Sequence, residues 1–316
     1  MQNKETCVLI SDWELGAGKQ GTSKGPEAVI RFTHKRESDF FERHTVQYIR
    51  QTQLFDLDEH AMPFLKNGPQ LYEHQKRLCQ STYDCIEADR KVLLLSGDHS
   101  NAIGGLSGLC KAKKGKNVGV IWIDAHMELH SPYSTPSGNV HGMSMNAIVG
   151  DDNIEFASNA IDEESANTWQ LIKQLKHQDG EKNRVKPEHI VYIGVRDFER
   201  QEEALIQKHG IRCYYPEDLA ERGMANILEE TLAYLHDCDY LYVSYDVDSM
   251  DPGISIGTGT PVENGLSLEQ GQLALKTLWN CPKTQVLEIT EVNPTLEMDN
   301  EMAKAVAWLI DRSFAG

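Results

Sequence analysis

VGVIWIDAHMELH, residues 118–130, runs from six apolar residues straight into a segment with acids and histidines at alternate positions, Asp124, His126, Glu128 and His130. Its apolar half is rich in β-branched side chains and lacks polar alternation, as expected of a strand covered by helices on both faces. Three other stretches repeat the design: VLLLSGDHS at 92–100, YLYVSYDVDSMDP at 240–252 and VLEITEVNP at 286–294. Open parallel sheets bind ligands outside the carboxyl ends of their strands. The four stretches therefore predict that Asp98, His99, Asp124, His126, Glu128, Asp246, Asp248 and Glu291 converge there.

Outward from these four, residues 190–195 (IVYIGV) read as a further clear strand, and 7–10 and 211–214 as weaker ones. Helical periodicity is best at 72–88, 202–209, 225–236, 268–278 and 302–310. Pro26 and Glu27, after Gly25, suit a helix start. Strands alternating with amphipathic helices predict an α/β fold, a three-layer α/β/α sandwich on a mostly parallel sheet. The most polar interval, 151–188, reads as a surface excursion with a helix near 168–175; with one Gly and one Pro it is no linker, so residues 1–316 are expected to form a single domain.

The chain has 316 residues, with 31 Lys+Arg against 48 Asp+Glu and a net charge of −17. That acid excess argues against nucleic acid and anionic lipid as partners, both of which need a basic face. Seven scattered cysteines without a C-x-x-C argue against a disulfide framework or zinc ribbon. No apolar run approaches a membrane span and the first residues lack signal-peptide design, so no membrane association is expected and the cytoplasm is the default compartment. The glycine-rich GAGKQGTSKG at 16–25 is no phosphate loop, because Thr22 stands where that motif needs lysine; it reads as a rim loop. His34, His44, His60, His74, His177, His189, His209 and His236 fall outside the constellation and read as surface or core histidines.

Capping of the following helix accounts for Asp98 and Ser100 as well as function does. For the others it does not suffice. If the chain stays extended past Ile123, Asp124, His126 and Glu128 share one face, as do Asp246 and Asp248. Such a cluster without a cation carries heavy repulsion and desolvation. Carboxylates and imidazoles without thiolates point to manganese or another first-row ion, in a pair, rather than to structural zinc.

SGDHS, DAHMELH, STPSGNVHGMS (134–144) and SYDVDSMDP, in this order and spacing, resemble the ureohydrolase family of arginases and agmatinases, and the likeness runs from GPEAVI at Gly25 to EVNP at Glu291. The resemblance implies that family's fold, with a sheet of about eight strands, and two Mn²⁺ per chain. His99, Asp124, Glu128 and Asp246 would hold one ion and Asp124, His126, Asp246 and Asp248 the other, with Asp124 and Asp246 bridging. The family has aspartate at the position of Glu128; the extra methylene is expected to weaken or distort the first ion's site.

Within the family PSGNVHG resembles the arginase branch, so Ser137 and Asn139 would hold the α-carboxylate of L-arginine and His141 would shuttle protons. Glu199 and Glu202, in VRDFERQEE, resemble the α-amino recognition stretch; Glu199 replaces an aspartate and reads equally well as a charged helix start. His130 replaces an asparagine that meets the carboxylate. Thr260 and Glu291 would position the guanidinium, a carboxylate being its natural partner. The implied reaction is attack on the guanidinium carbon by a metal-bridging hydroxide oriented by Asp248, releasing L-ornithine and urea. His130 and Glu199 keep open another guanidino or formimino substrate (agmatine, guanidinobutyrate, formimidoylglutamate), and Glu128 keeps open a metal-impaired, non-catalytic homologue. Trimers and hexamers are common in the family, implying a homo-oligomer.

Overall fold

In the computed structural model, which describes residues 5–51, 62–176 and 185–314, eight parallel strands form one sheet. They are β1 (Thr6–Ser11), β2 (Thr45–Ile49), β3 (Lys91–Ser96), β4 (Val118–Ile123), β5 (Ile190–Ile193), β6 (Arg212–Tyr214), β7 (Tyr240–Asp246) and β8 (Thr284–Thr290), in spatial order 2-1-3-8-7-4-5-6. The helices are α1 (Gly25–Lys35), α2 (Phe40–Arg43), α3 (Gly68–Glu87), α4 (Ala102–Ala112), α5 (Ser144–Val149), α6 (Glu163–Gln174), α7 (Arg200–His209), α8 (Pro216–Arg222), α9 (Met224–Tyr234), α10 (Leu268–Asn280) and α11 (Glu301–Ser313). This is the expected single-domain α/β architecture. One apolar layer packs α1, α9, α10 and α11 on one face of the sheet, and a second packs α3, α4 and α7 on the other.

The sheet order explains why the four motif strands act together. β3, β8, β7 and β4 are the four central strands and lie side by side, so the segments that follow them leave the same end of the sheet as neighbours. Burial on both faces accounts for their uninterrupted apolar runs.

Every strand anticipated from sequence is present, and the short edge strand β2 is an addition in which only Ile49 is buried. Helix α4, AIGGLSGLCKA, is also an addition. Nine of its residues, Ala102–Cys110, are buried, so it shows no polar face to betray a helical period. Its glycines permit close approach to α3: a side-chain carbon at Gly108 would lie 2.6 Å from the Cys79 carbonyl oxygen. The polar interval 151–188 is partly core, because α6 buries Trp169 and Ile172 beside Leu65, Leu71 and Ile103. His60, His177 and the later part of that interval, 177–184, lie outside the described residues.

Candidate dinuclear metal site

At the carboxyl end of β3, Asp98 caps a short 3-10 turn through its bond from Ser100 N, and His99 opens that turn with its side chain buried. Asp246 ends β7 and caps the turn Val247–Ser249, its Oδ1 accepting from Asp248 N at 2.9 Å. Capping and convergence are thus both true of these residues.

One local expectation is corrected. The chain does not stay extended past Ile123: β4 ends there, residues 124–126 bend, and Glu128 takes a left-handed φ of 55°. The turn, not strand alternation, brings these side chains together. Glu291, just beyond β8, is also left-handed, with φ of 66°. Non-glycine residues held in this region cost on the order of 1–3 kcal/mol and cluster at functional sites.

Two candidate ligand groups result, His99 with Asp124 and Glu128, and Asp124 with His126 and Asp248, with Asp124 shared; in each, one atom per residue lies within 4.8 Å of the others. His99 Nδ1 stands 3.1 Å from Asp124 Oδ2 and 3.0 Å from Asp246 Oδ2. His126 Nδ1 stands 3.1 Å from Asp248 Oδ2 and 3.5 Å from Asp124 Oδ1. Asp124 is fixed by Trp122 Nε1 at 2.8 Å and by the His126 backbone N–H at 2.8 Å.

Whether a cation suits these residues is decided at His99. Its Nε2 lies 2.7 Å from Ser244 Oγ, and Ser244 in turn donates to Glu288 Oε2 at 3.1 Å. Ser244 must therefore accept from Nε2–H, so in the neutral ring Nδ1 is the nitrogen that bears the lone pair; without a cation the two carboxylates overcome burial and draw a proton onto it, raising the imidazole well above its usual value. That buried Nδ1 makes no hydrogen bond among the described residues and faces two carboxylate oxygens. With that proton exchanged for a cation, three electron-rich atoms meet in a buried pocket, and an imidazole with carboxylates is a donor set that a first-row ion takes; Asp246, expected to bridge, stands beside His99 but falls in neither of the two ligand groups.

The electrostatics agree. Burial, with Asp124 nearby, lifts Glu128 to about 8, and burial with Asp248 and Asp124 lifts Asp246 well above the usual carboxylate range. Burial also raises Asp248, against the pull of His126. For Asp124 burial acts the same way, yet contacts with His126 and His99 hold it below that range. A divalent cation would balance the surplus negative charge without protons.

The remaining predicted residues form two groups around this centre. Glu291 Oε1 accepts from His99 N at 2.9 Å and lies 3.1 Å from His141 Nδ1, while Thr260 Oγ1 donates to Asp248 Oδ2 at 3.1 Å. Burial disfavours the His141 imidazolium, but Glu291, with Glu128 and Asp98, outweighs it and lifts the ring to about 9. A second group joins His130 to Glu199, 2.7 Å from Nε2 to Oε2, with Glu202 Oε2 at 3.6 Å. His130 holds Glu199 down at about 2, whereas burial lifts Glu202 to about 7. Glu202 also accepts from Glu199 N and Leu129 N, so Glu199 does cap α7 while belonging to the group. Ser137 and Asn139 sit on a loop tied by Gly138 N to Thr135 Oγ1 at 3.0 Å.

Sequence reasoning missed Ser244 and Glu288. Glu288 carried a signal, an acid inside the apolar run VLEI of a fully buried strand.

The family model for the arginase family matches residues 5–315. The arginase of Bacillus subtilis (strain 168) is 33% identical over 311 residues, covering 98% of this chain and 97% of that one. The native structure of the Bacillus caldovelox arginase superposes with a TM-score of 0.83 at 30% identity, covering 99% of each chain. The Entamoeba histolytica arginase in complex with L-ornithine gives 0.84 at 25% identity, covering all of both chains.

Proposed function

The chain belongs to the arginase family and is a hydrolase of the ureohydrolase type; from that premise we propose that it cleaves L-arginine to L-ornithine and urea with two Mn²⁺ per chain. The observation that carries the metal reading is His99 Nδ1, its ring fixed through Nε2 on Ser244, turned toward the carboxylates of Asp124 and Asp246. His99, Asp124, Glu128 and Asp246 would hold one ion and Asp124, His126, Asp246 and Asp248 the other. When bound, such a pair supplies a water acidic enough to ionise near neutral pH and a positive field over the attacked group.

The chain's own groups do the rest. Glu291 already receives His99 N and His141 at Oε1, which leaves Oε2 to accept from the guanidinium and fix its plane. Asp248, steadied by Thr260, accepts a hydrogen bond from the attacking water and sets its line of approach. His141 is tied at Nδ1 to Glu291, so its proton at Nε2 goes to the departing ornithine nitrogen. The water oxygen bonds first to the guanidinium carbon, which becomes tetrahedral; the C–N bond to the ornithine nitrogen then breaks as that nitrogen takes the proton, and no bond to the protein forms. Ser137 and Asn139 would meet the α-carboxylate, and Glu199, Glu202 and His130 the α-amino end.

One observation favours a neighbouring substrate. The 2.7 Å contact of His130 with Glu199 engages a carboxylate that an α-amino group would otherwise use. Agmatine, guanidinobutyrate or formimidoylglutamate would then replace L-arginine. The deciding experiment is urea release by the Mn²⁺-loaded chain, with the metal content counted. L-arginine turnover at least tenfold above agmatine is expected. Preference for another compound with two ions bound would move the assignment to it, and inactivity with fewer than two ions would favour a non-catalytic homologue. Assembly as a homo-oligomer, a trimer or hexamer, belongs to the same proposal. Among the described residues no helix is long and apolar enough to cross a membrane.

A further inference from the structure

We propose that Lys66 is a specificity-determining residue: bonded to the Asn139 amide oxygen, its ammonium group orients and charges the end of the site that receives a carboxylate on the substrate. The inference rests on the functional reading above and deepens it.

Lys66 lies just before α3, in a segment pressed against the 135–139 loop. Its backbone N–H donates to Gly138 O at 3.0 Å. Gly138 has φ of +75°, and a side-chain carbon there would fall 1.9 Å from Pro63 O, so only glycine permits the contact. The next residue, Asn67, donates from Nδ2 to Leu15 O at 2.8 Å, so the same segment also holds the rim loop containing residues 15–21.

Lys66 Nζ donates to Asn139 Oδ1 at 3.1 Å. An ammonium has only donors, so this contact assigns the amide: oxygen toward Lys66, Nδ2 turned away as a free donor. Nδ2 faces the rim loop, where a side-chain carbon at Gly18 would come within 2.6 Å of it. Ser137 Oγ accepts from Asn139 N at 3.2 Å, which leaves its O–H to donate as well. Two donors on the 135–139 loop and the charged one of Lys66 beside it are thereby brought together, and Lys66 enters no ion pair among the described residues. In a chain of net charge −17 such a place suits an anion. Asn139 stands two residues before His141, so the Cα atoms of the anion end and the reacting end lie at most about 7 Å apart. An extended chain joining a carboxylate to a guanidinium spans that distance.

The test is Lys66→Met, which keeps the aliphatic stem and removes the charge, in the Mn²⁺-loaded full chain. L-arginine is compared with agmatine, the same molecule without its carboxylate, and the binding of L-ornithine with that of putrescine by calorimetry. KM for L-arginine should rise about tenfold with kcat within twofold, and the arginine-over-agmatine preference should fall about tenfold. L-ornithine should weaken about tenfold relative to putrescine, and Lys66→Arg should recover most of both losses. Equal losses for both members of each pair would reduce Lys66 to a support for the loop and overturn the proposal, as would an unchanged preference. Should the parent release urea from neither guanidine, the functional reading fails by itself. The ornithine and putrescine affinities then still decide, and absent ornithine binding in the parent overturns the proposal.

Discussion

Glu128 combines three features in one residue: a left-handed backbone, a buried carboxyl lifted to about 8, and a place in the ligand group with His99 and Asp124. Aspartate is shorter and tolerates positive φ better than glutamate. Glu128→Asp is therefore expected to bind the first Mn²⁺ about tenfold more tightly, about 1.4 kcal/mol, read by titration calorimetry on metal-stripped protein. Weaker binding would mean that the longer arm is what reaches the ion. At this scale the site was largely legible in sequence, because acids and histidines massed directly after apolar strands are too costly to bury together unless they bind a cation or a substrate. The direction of each side chain was not, since it depends on turns such as that at Glu128 which alternation along a strand cannot foresee. His130 and Glu199 were named singly; their pairing across 69 residues is a tertiary fact.

Among elements, the register between β7 and β8 sets Ser244 opposite Glu288, and β3 contributes Ser96 to the same carboxylate. Glu288 accepts from Ser96 Oγ at 2.7 Å, Tyr242 OH at 2.8 Å and Ser244 Oγ at 3.1 Å. The ring of His99 stacks on Trp122 from β4, with centroids 4.1 Å apart. The four central strands thus fix the tautomer and plane of one imidazole. Glu288→Gln replaces an acceptor-only group with one that must also donate; Ser244 is then drawn toward accepting from the amide and competes with His99 Nε2–H. Mn²⁺ affinity should drop about 10–100-fold by calorimetric titration, while circular dichroism keeps its native shape. Unchanged affinity would show that Trp122 stacking alone orients the ring. The strands were readable because burial on both faces leaves unbroken apolar runs. Helix α4 was not, because near-complete burial erases the polar face that periodicity needs, and β2, TVQYI, was not, because partial exposure leaves it no unbroken apolar run.

At the scale of the molecule, stability and the site are joined through His74 on α3, which links β1 to the turn carrying His99. Ser11 Oγ donates to Asn101 Oδ1 at 2.6 Å, so it accepts from His74 Nε2 at 2.7 Å, and Arg77 Nη2 donates to Nδ1 at 3.1 Å. Protonating Nδ1 would place a positive charge in the core, beside the guanidinium of the exposed Arg77. Burial first, and Arg77 second, lower this imidazole from 6.5 to about 3. The sign follows from proton binding: below pH 6.5 the unfolded chain takes up a proton that the folded chain refuses, so stability is full above 6.5 and drains as pH falls toward 3. From about pH 7 to 5 the loss from this one group is about 2 kcal/mol. His99, His126, His130 and His141 are shifted upward by their carboxylates and act in the opposite sense, so the parent's own pH profile mixes both. His74→Gln isolates the effect, since its amide can donate to Ser11 and accept from Arg77 without titrating. Urea unfolding of parent and variant at about pH 7 and 5 should show the variant losing about 2 kcal/mol less between the two. Equal losses would mean that His74 keeps an ordinary proton affinity in the fold and that the junction of β1 with α3 does not exclude charge.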